Sequence, residues 1–120
     1  KAADALGRIG SEKAIEPLIS ALSSKRNHVR GSAADALGRM GSEKAIEPFI
    51  SALFTDNDAH VRWRATCTLG SIGDTRAVEP LKKALDDEGK FYGKKIKNRA
   101  FRSLEQISRR IHKRIPLEPQ

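Results

Sequence analysis

The chain has 120 residues, enough for one elongated domain and too few for two ordinary domains with separate cores. Apolar residues make up 38% and charged residues 32%, a balance that suits a helical protein, and no apolar run approaches the ~20 residues needed to span a bilayer. The net charge of +8 is lopsided: residues 1–89 hold 13 basic and 13 acidic side chains, while residues 90–120 hold ten basic ones against Glu105 and Glu118.

Aromatic residues are only 5% of the chain, so the core is expected to be built from Ala, Leu and Ile. The single cysteine, Cys67, excludes an internal disulfide framework and fits a reducing, cytoplasmic compartment. Its neighbours Ala65, Leu69 and Ile72 mark it as a buried thiol rather than a reactive one. No signal-like start is present. The chain opens without Met and part-way through a repeated unit, from which the reading expects an upstream portion.

Ala2–Leu22 and Ala33–Leu53 differ only at Ile9/Met40 and Leu18/Phe49, and a looser third copy runs from Ala65 to Leu85. Pro17, Pro48 and Pro80 fall 31 and 32 residues apart, which is the mark of a repeat array. The copies are placed at about 1–24, 25–56 and 57–88. Each reads as two helices. In the second copy the first helix opens after Asn27 and sets Val29, Ala33, Ala36, Leu37 and Met40 on one face. Gly41 closes it in the left-handed conformation, with Gly10 and Gly73 at matching positions. Ser42, like Ser11 and Asp74, then caps the next helix. A proline is cheap only in a helix's first turn, so a 3₁₀ turn at Glu43 to Ala45 is predicted, with the regular helix starting near Ile46. The same course is predicted at Pro17 and Pro80.

No helix pair can bury its apolar stripe alone, so adjacent pairs must stack. The recurring pattern V-R-x-x-A-A-x-A-L-G-x-[IM]-G-[SD]-x-x-A-[IV]-E-P-[LF] resembles the short HEAT-like repeats named after phycobilisome lyases, over roughly residues 1–88. The resemblance implies an all-α superhelix, a HEAT-like α-solenoid of about seven helices in antiparallel pairs, forming a single domain over 1–120. In such repeats an Asp-x-x-Val-Arg segment laces adjacent units together. Asp58 to Arg62 fits it, whereas Asn27 replaces the Asp before Val29-Arg30, which weakens one rung.

After Leu85 the pattern departs, with a longer segment from Asp86 to Gly93. A capping helix over about 94–112 then places Ile96, Ala100, Leu104, Ile107 and Ile111 on one face, and a tail over 113–120 comes after it. On the opposite face Lys95, Arg99, Arg102, Arg109 and Lys113 form a basic row that can grip phosphates with a strong salt dependence. The plainer reading is a solvated face that keeps the cap in solution. Phe91 and Tyr92 are the nearby aromatics, and no stacking platform interleaves with the charges.

A second candidate surface is the concave side that the resemblance assigns to the second helix of each pair. There Glu16, Glu47 and Glu79 form one row and Ser20, Ser51 and Lys83 another, along which a partner peptide would lie. The plainer reading makes Lys13-Glu16, Lys44-Glu47 and Arg76-Glu79 local pairs near helix starts.

His28 and His60 occupy equivalent positions and invite a metal reading, but no second ligand stands one turn away. The iron-binding His-Glu dipeptides of some HEAT-like enzymes are missing too, since Val29, Val61 and Lys113 come directly after the three histidines. No nucleophile motif, phosphate-cradling loop or paired carboxylate is found.

These features favour a non-catalytic scaffold that binds another protein, with no cofactor and no metal. The alternative is nucleic-acid or other polyanion binding by the basic helix. A bilin-lyase-like enzyme, which the resemblance also implies, ranks third. An uncovered terminal repeat offers a route to a homodimer.

Overall fold

The computed structural model describes the backbone over residues 2–114 and side chains over residues 12–112. Its elements are α1 (Ala2–Ala21), α2 (Asn27–Met40), a 3₁₀ turn (Glu43–Ala45), α3 (Ile46–Thr55), α4 (Ala59–Ile72), a second 3₁₀ turn (Thr75–Ala77), α5 (Val78–Ala84), β1 (Lys90–Phe91), β2 (Lys94–Lys95) and α6 (Ile96–Arg114). The described residues thus hold six α-helices. α4 is central, packing against α2, α3, α6 and β1, while α3 also meets α5 and α5 meets α6. The shortest extent, 22 Å, is about two helix diameters, so the helices lie in two layers.

The second unit obeys its sequence signals closely. Gly41 has φ +65° and its N–H bonds to the carbonyl of Leu37, the left-handed cap that favours glycine. Ser42 accepts from the Lys44 N–H and starts the 3₁₀ turn, after which α3 begins at Ile46 with Pro48 in its first turn. Asp74 does the same for the third unit, accepting from the Arg76 N–H. Gly73, however, has φ −69° and is not left-handed.

The first unit departs from the predicted pair of helices. α1 runs unbroken from Ala2 to Ala21 with Pro17 inside it, although its sequence nearly repeats that of the second unit. Local propensity therefore does not place the break. In the second unit the fold-back buries Ala45, Ile46 and Phe49 among the core residues, and that burial offsets the lost helical hydrogen bonds. α1 packs chiefly against α2 and stays unbroken, keeping a proline that costs ~3 kcal/mol in a helix interior.

The core is a continuous stripe of Leu37, Ile46, Phe49, Val61, Leu69, Leu81 and Ile107 with alanines between them. Arginine rungs lace its edge. Arg30 donates from Nε and Nη2 to the two oxygens of Asp56 at 2.8 and 3.0 Å, and from Nη1 to the Ser24 carbonyl. One unit on, Arg62 repeats the arrangement with Asp87 at 2.7 and 3.2 Å and with the Asp56 carbonyl. Asp58 caps α4 by accepting from the His60 N–H. The matching cap of α2 is Arg26, which makes no side-chain cap bond. Asn27 lies one residue further on and donates to Asp58 at 2.7 Å, so it forms a rung of its own rather than an impaired copy of the Asp.

α6 lies on α4 with Ile96, Ala100, Ser103 and Ile107 buried and Leu104 and Ile111 at the edge of the core. Close approach is possible because Gly70 lacks a side chain: a Cβ there would collide with Ser103 Oγ and Gln106 Oε1 and come within 2.7 Å of Ser103 Cβ. Ser103 donates to the Thr66 carbonyl at 2.8 Å, and Arg110 donates to the carbonyls of Gly70 and Gly73, satisfying the end of α4.

Candidate functional site

The segment between α5 and α6 builds the most distinctive surface. β1 and β2 pair antiparallel, Lys90 opposite Lys95 and Phe91 opposite Lys94. The turn between them puts Tyr92 at φ +51° and Gly93 at φ +76°, as a two-residue hairpin requires. A tyrosine in that region is uncommon, and this one is 88% exposed. Phe91 anchors the hairpin by stacking on His60 with ring centroids 4.5 Å apart and planes 7° off parallel. His60 Nε2 in turn lies 2.9 Å from Asp35 Oδ1, which also accepts from Arg64 Nε at 2.9 Å. Burial pushes the Asp35 carboxyl up, but the hydrogen bonds and charges of His60 and Arg64 outweigh it and hold it below the usual carboxylate range. Of the two equivalent histidines, His28 is exposed, whereas His60 joins three elements. Among the described residues no group of three His, Cys, Asp or Glu comes together as a metal site.

Beside this anchor a cleft of about 470 Å³ opens, lined by Trp63 of α4, Gly93, Lys94 and Lys95 of the hairpin, and Asn98, Arg99 and Arg102 of α6. Lys94 Nζ stands 6.0 Å from the centroid of the Trp63 ring, and Trp63 is 6.3 Å from Phe91. Among the described residues the four cations share the cleft with no acidic one. Arg99 is half-buried and bonds through Nη2 to the neutral amide of Gln106 at 2.9 Å, while its Nε is buried without a partner among the described residues. The rung arginines Arg30 and Arg62 by contrast each meet a carboxylate.

Of the predicted basic row, Lys95, Arg99 and Arg102 therefore converge in the cleft, with Lys95 on β2 rather than on the helix. Arg109 is exposed further along α6, outside the cleft, and the Lys113 side chain lies outside the described residues. The expectation that no aromatic platform accompanies the charges is corrected. Trp63 brings an aromatic ring among them from a helix distant in sequence, and no pattern within the basic stretch marks it.

The predicted row on the second helices, Glu16, Ser20, Glu47, Ser51, Glu79 and Lys83, is exposed in α1 and α5 and exposed at Glu47 and Ser51 of α3. Glu47 is held by Arg76 Nη1 of the next unit at 3.0 Å, and Glu79 takes Lys82 Nζ at 3.4 Å, so the pairings run Arg76–Glu47 and Lys82–Glu79 rather than Lys44–Glu47 and Arg76–Glu79. Lys83 Nζ lies 5.2 Å from the ring centroid of Phe54, which is 51% exposed. Ser51 lines a groove of about 520 Å³ shared by Ile19, Leu22, Pro48, Ala52 and Arg30. The sequence pattern alone does not mark Phe54 as a surface residue, although its position three residues after Ser51 puts it on the same face.

Cys67 is half-buried, and burial pushes its thiol up despite Arg99, Arg64 and Lys94 nearby. That is opposite to the lowered pKa of a nucleophilic cysteine.

Layered helices, arginine rungs and the proline-glycine register agree with comparison to known proteins, which matches HEAT repeats over residues 1–57 and again over 29–105. The chain belongs to the HEAT-repeat family. HEAT repeats generally serve as scaffolds for protein interactions. No curated protein matches this HEAT-repeat chain. No described helix is long and apolar enough to cross a membrane.

Proposed function

We propose that this chain is a non-catalytic scaffold that binds another protein along the exposed row of α3 and α5, within the phycobilisome-lyase-like branch of HEAT repeats. The observation that carries the reading is Phe54, a half-exposed aromatic under Lys83 and next to the Ser51 groove. An aromatic with a flexible cation over it, beside a groove of mixed polar and apolar lining, has the composition of an interface anchor. Glu47 and Glu79 supply a polar rim. A photo-crosslinking residue placed at Ser51 or Lys83 should capture a defined protein that the same residue at Ser71, exposed on α4, does not capture. Equal capture from Ser51, Lys83 and Ser71, or none, contradicts the reading.

A second reading is favoured by the cleft: the basic end of the chain binds a polyanion. Four cations gathered with no acid among the described residues, one of them half-buried and bonded to a neutral amide, leave a positive charge that an anion would offset. Retention on a phosphate-bearing resin at low salt, lost in the Lys95→Gln/Arg102→Gln protein, tests it.

A further inference from the structure

We propose that the cleft between the hairpin and α6 binds single-stranded nucleic acid, with phosphates on Lys95, Arg99 and Arg102 and a base against Trp63. The inference rests on the polyanion reading and goes beyond it by naming the ligand. A phosphate polymer without rings would need only the cations. This cleft adds an indole, half-buried among the cations, with Lys94 Nζ over its ring at 6.0 Å, a flexible side chain that a base stacking there would move aside. Cations gathered beside an aromatic ring suit a strand that carries flat bases beside its phosphates. An acidic peptide has no comparable ring at each charge, so the indole would be left without a role.

The hairpin tip makes a second, independent point. Tyr92 keeps a backbone conformation that costs a bulky residue energy, and it is almost wholly in solvent, touching Phe91 edge-on at 4.6 Å. Glycine or asparagine would make the same turn with less strain. An exposed aromatic in such a turn, adjacent to the cleft wall at Gly93, gives a neighbouring base a second surface. The contacts read charge and ring rather than base edges, so the binding tolerates sequence.

Trp63 is the only tryptophan in the chain, so its fluorescence reports directly on the cleft. The full chain is titrated with an oligothymidylate of about ten nucleotides, a length within the usual range for such sites. Binding should quench Trp63 emission and weaken roughly twentyfold between about 50 and 200 mM salt, the slope for some three neutralised phosphates on a single strand. Lys95→Gln/Arg102→Gln changes two exposed side chains and should lower both affinity and salt slope. Tyr92→Gly should weaken binding without lowering thermal stability, which separates a binding role from a structural one. Inorganic polyphosphate and a poly-glutamate peptide serve as ring-free competitors. If polyphosphate binds while oligothymidylate leaves Trp63 emission unchanged, the polyanion reading stands and this inference falls. If poly-glutamate quenches Trp63 and displaces the oligonucleotide, the cleft is a peptide site and the inference is overturned. If no anion binds at the lower salt concentration, both readings fail.

Discussion

Arg30 and Arg62 do the same work one unit apart. Each holds a carboxylate of the following connection with two nitrogens and the preceding connection's carbonyl with the third, so a single side chain ties two loops. Arg62 and Asp87 expose only 18% and 14% of their side chains, so solvent screens the pair less than a surface pair. Arg62→Ala should therefore cost about 1.5–3 kcal/mol, the range for hydrogen bonds to charged groups, as read by chemical denaturation. Burial alone would raise the Asp87 carboxyl, but Arg62 and the Gly89 N–H hold it below its ordinary value of 3.8. A carboxylate depressed in the folded state contributes stability that is present above the unfolded value and lost as pH falls through the folded one. Stability should decline as pH drops below about 4, and Asp87→Asn should flatten that decline while lowering stability at neutral pH. An unchanged acid limb in the Asn variant would mean that the rung is not formed.

At the scale of the element, α4 and α6 meet through Gly70 against Ser103. Gly70→Ala places a methyl group where Ser103 and Gln106 already stand, and should destabilise by about 1–3 kcal/mol, the usual cost of overpacking. Leu37, fully buried on the inner face of α2, should cost about 2–5 kcal/mol when cut to Ala. Thermal melts that barely move for either would refute the packing described. Much of this is legible in the sequence. Pro48 and Gly41 locate the 3₁₀ turn and the start of α3 because each residue tolerates one backbone geometry at low cost. The unbroken course of α1 is not legible, since nearly the same residues fold back in the second unit and only their neighbours differ. Nor is the hairpin, whose Phe91 becomes structural only when His60 lies beneath it. The cleft is half legible: the spacing of Lys95, Arg99 and Arg102 marks a face, but Trp63 joins it through tertiary packing that no local pattern encodes.

Across the whole molecule, charge is divided by role. The neutral first three quarters use several of their arginines in rungs to carboxylates, and the basic last quarter places four of its ten cations around a cleft with no acid among the described residues. The cleft depends on α6 docking alongside α4, because an undocked α6 would carry Arg99 and Arg102 away from the indole. Nuclear Overhauser contacts test the docking most directly. The docked helices should give cross-peaks from Gly70 α-protons to Ser103 β-protons, and the hairpin beside them from Trp63 ring protons to the Lys94 side chain. Loss of both, with α6 amides exchanging as freely as an unfolded chain, would contradict it.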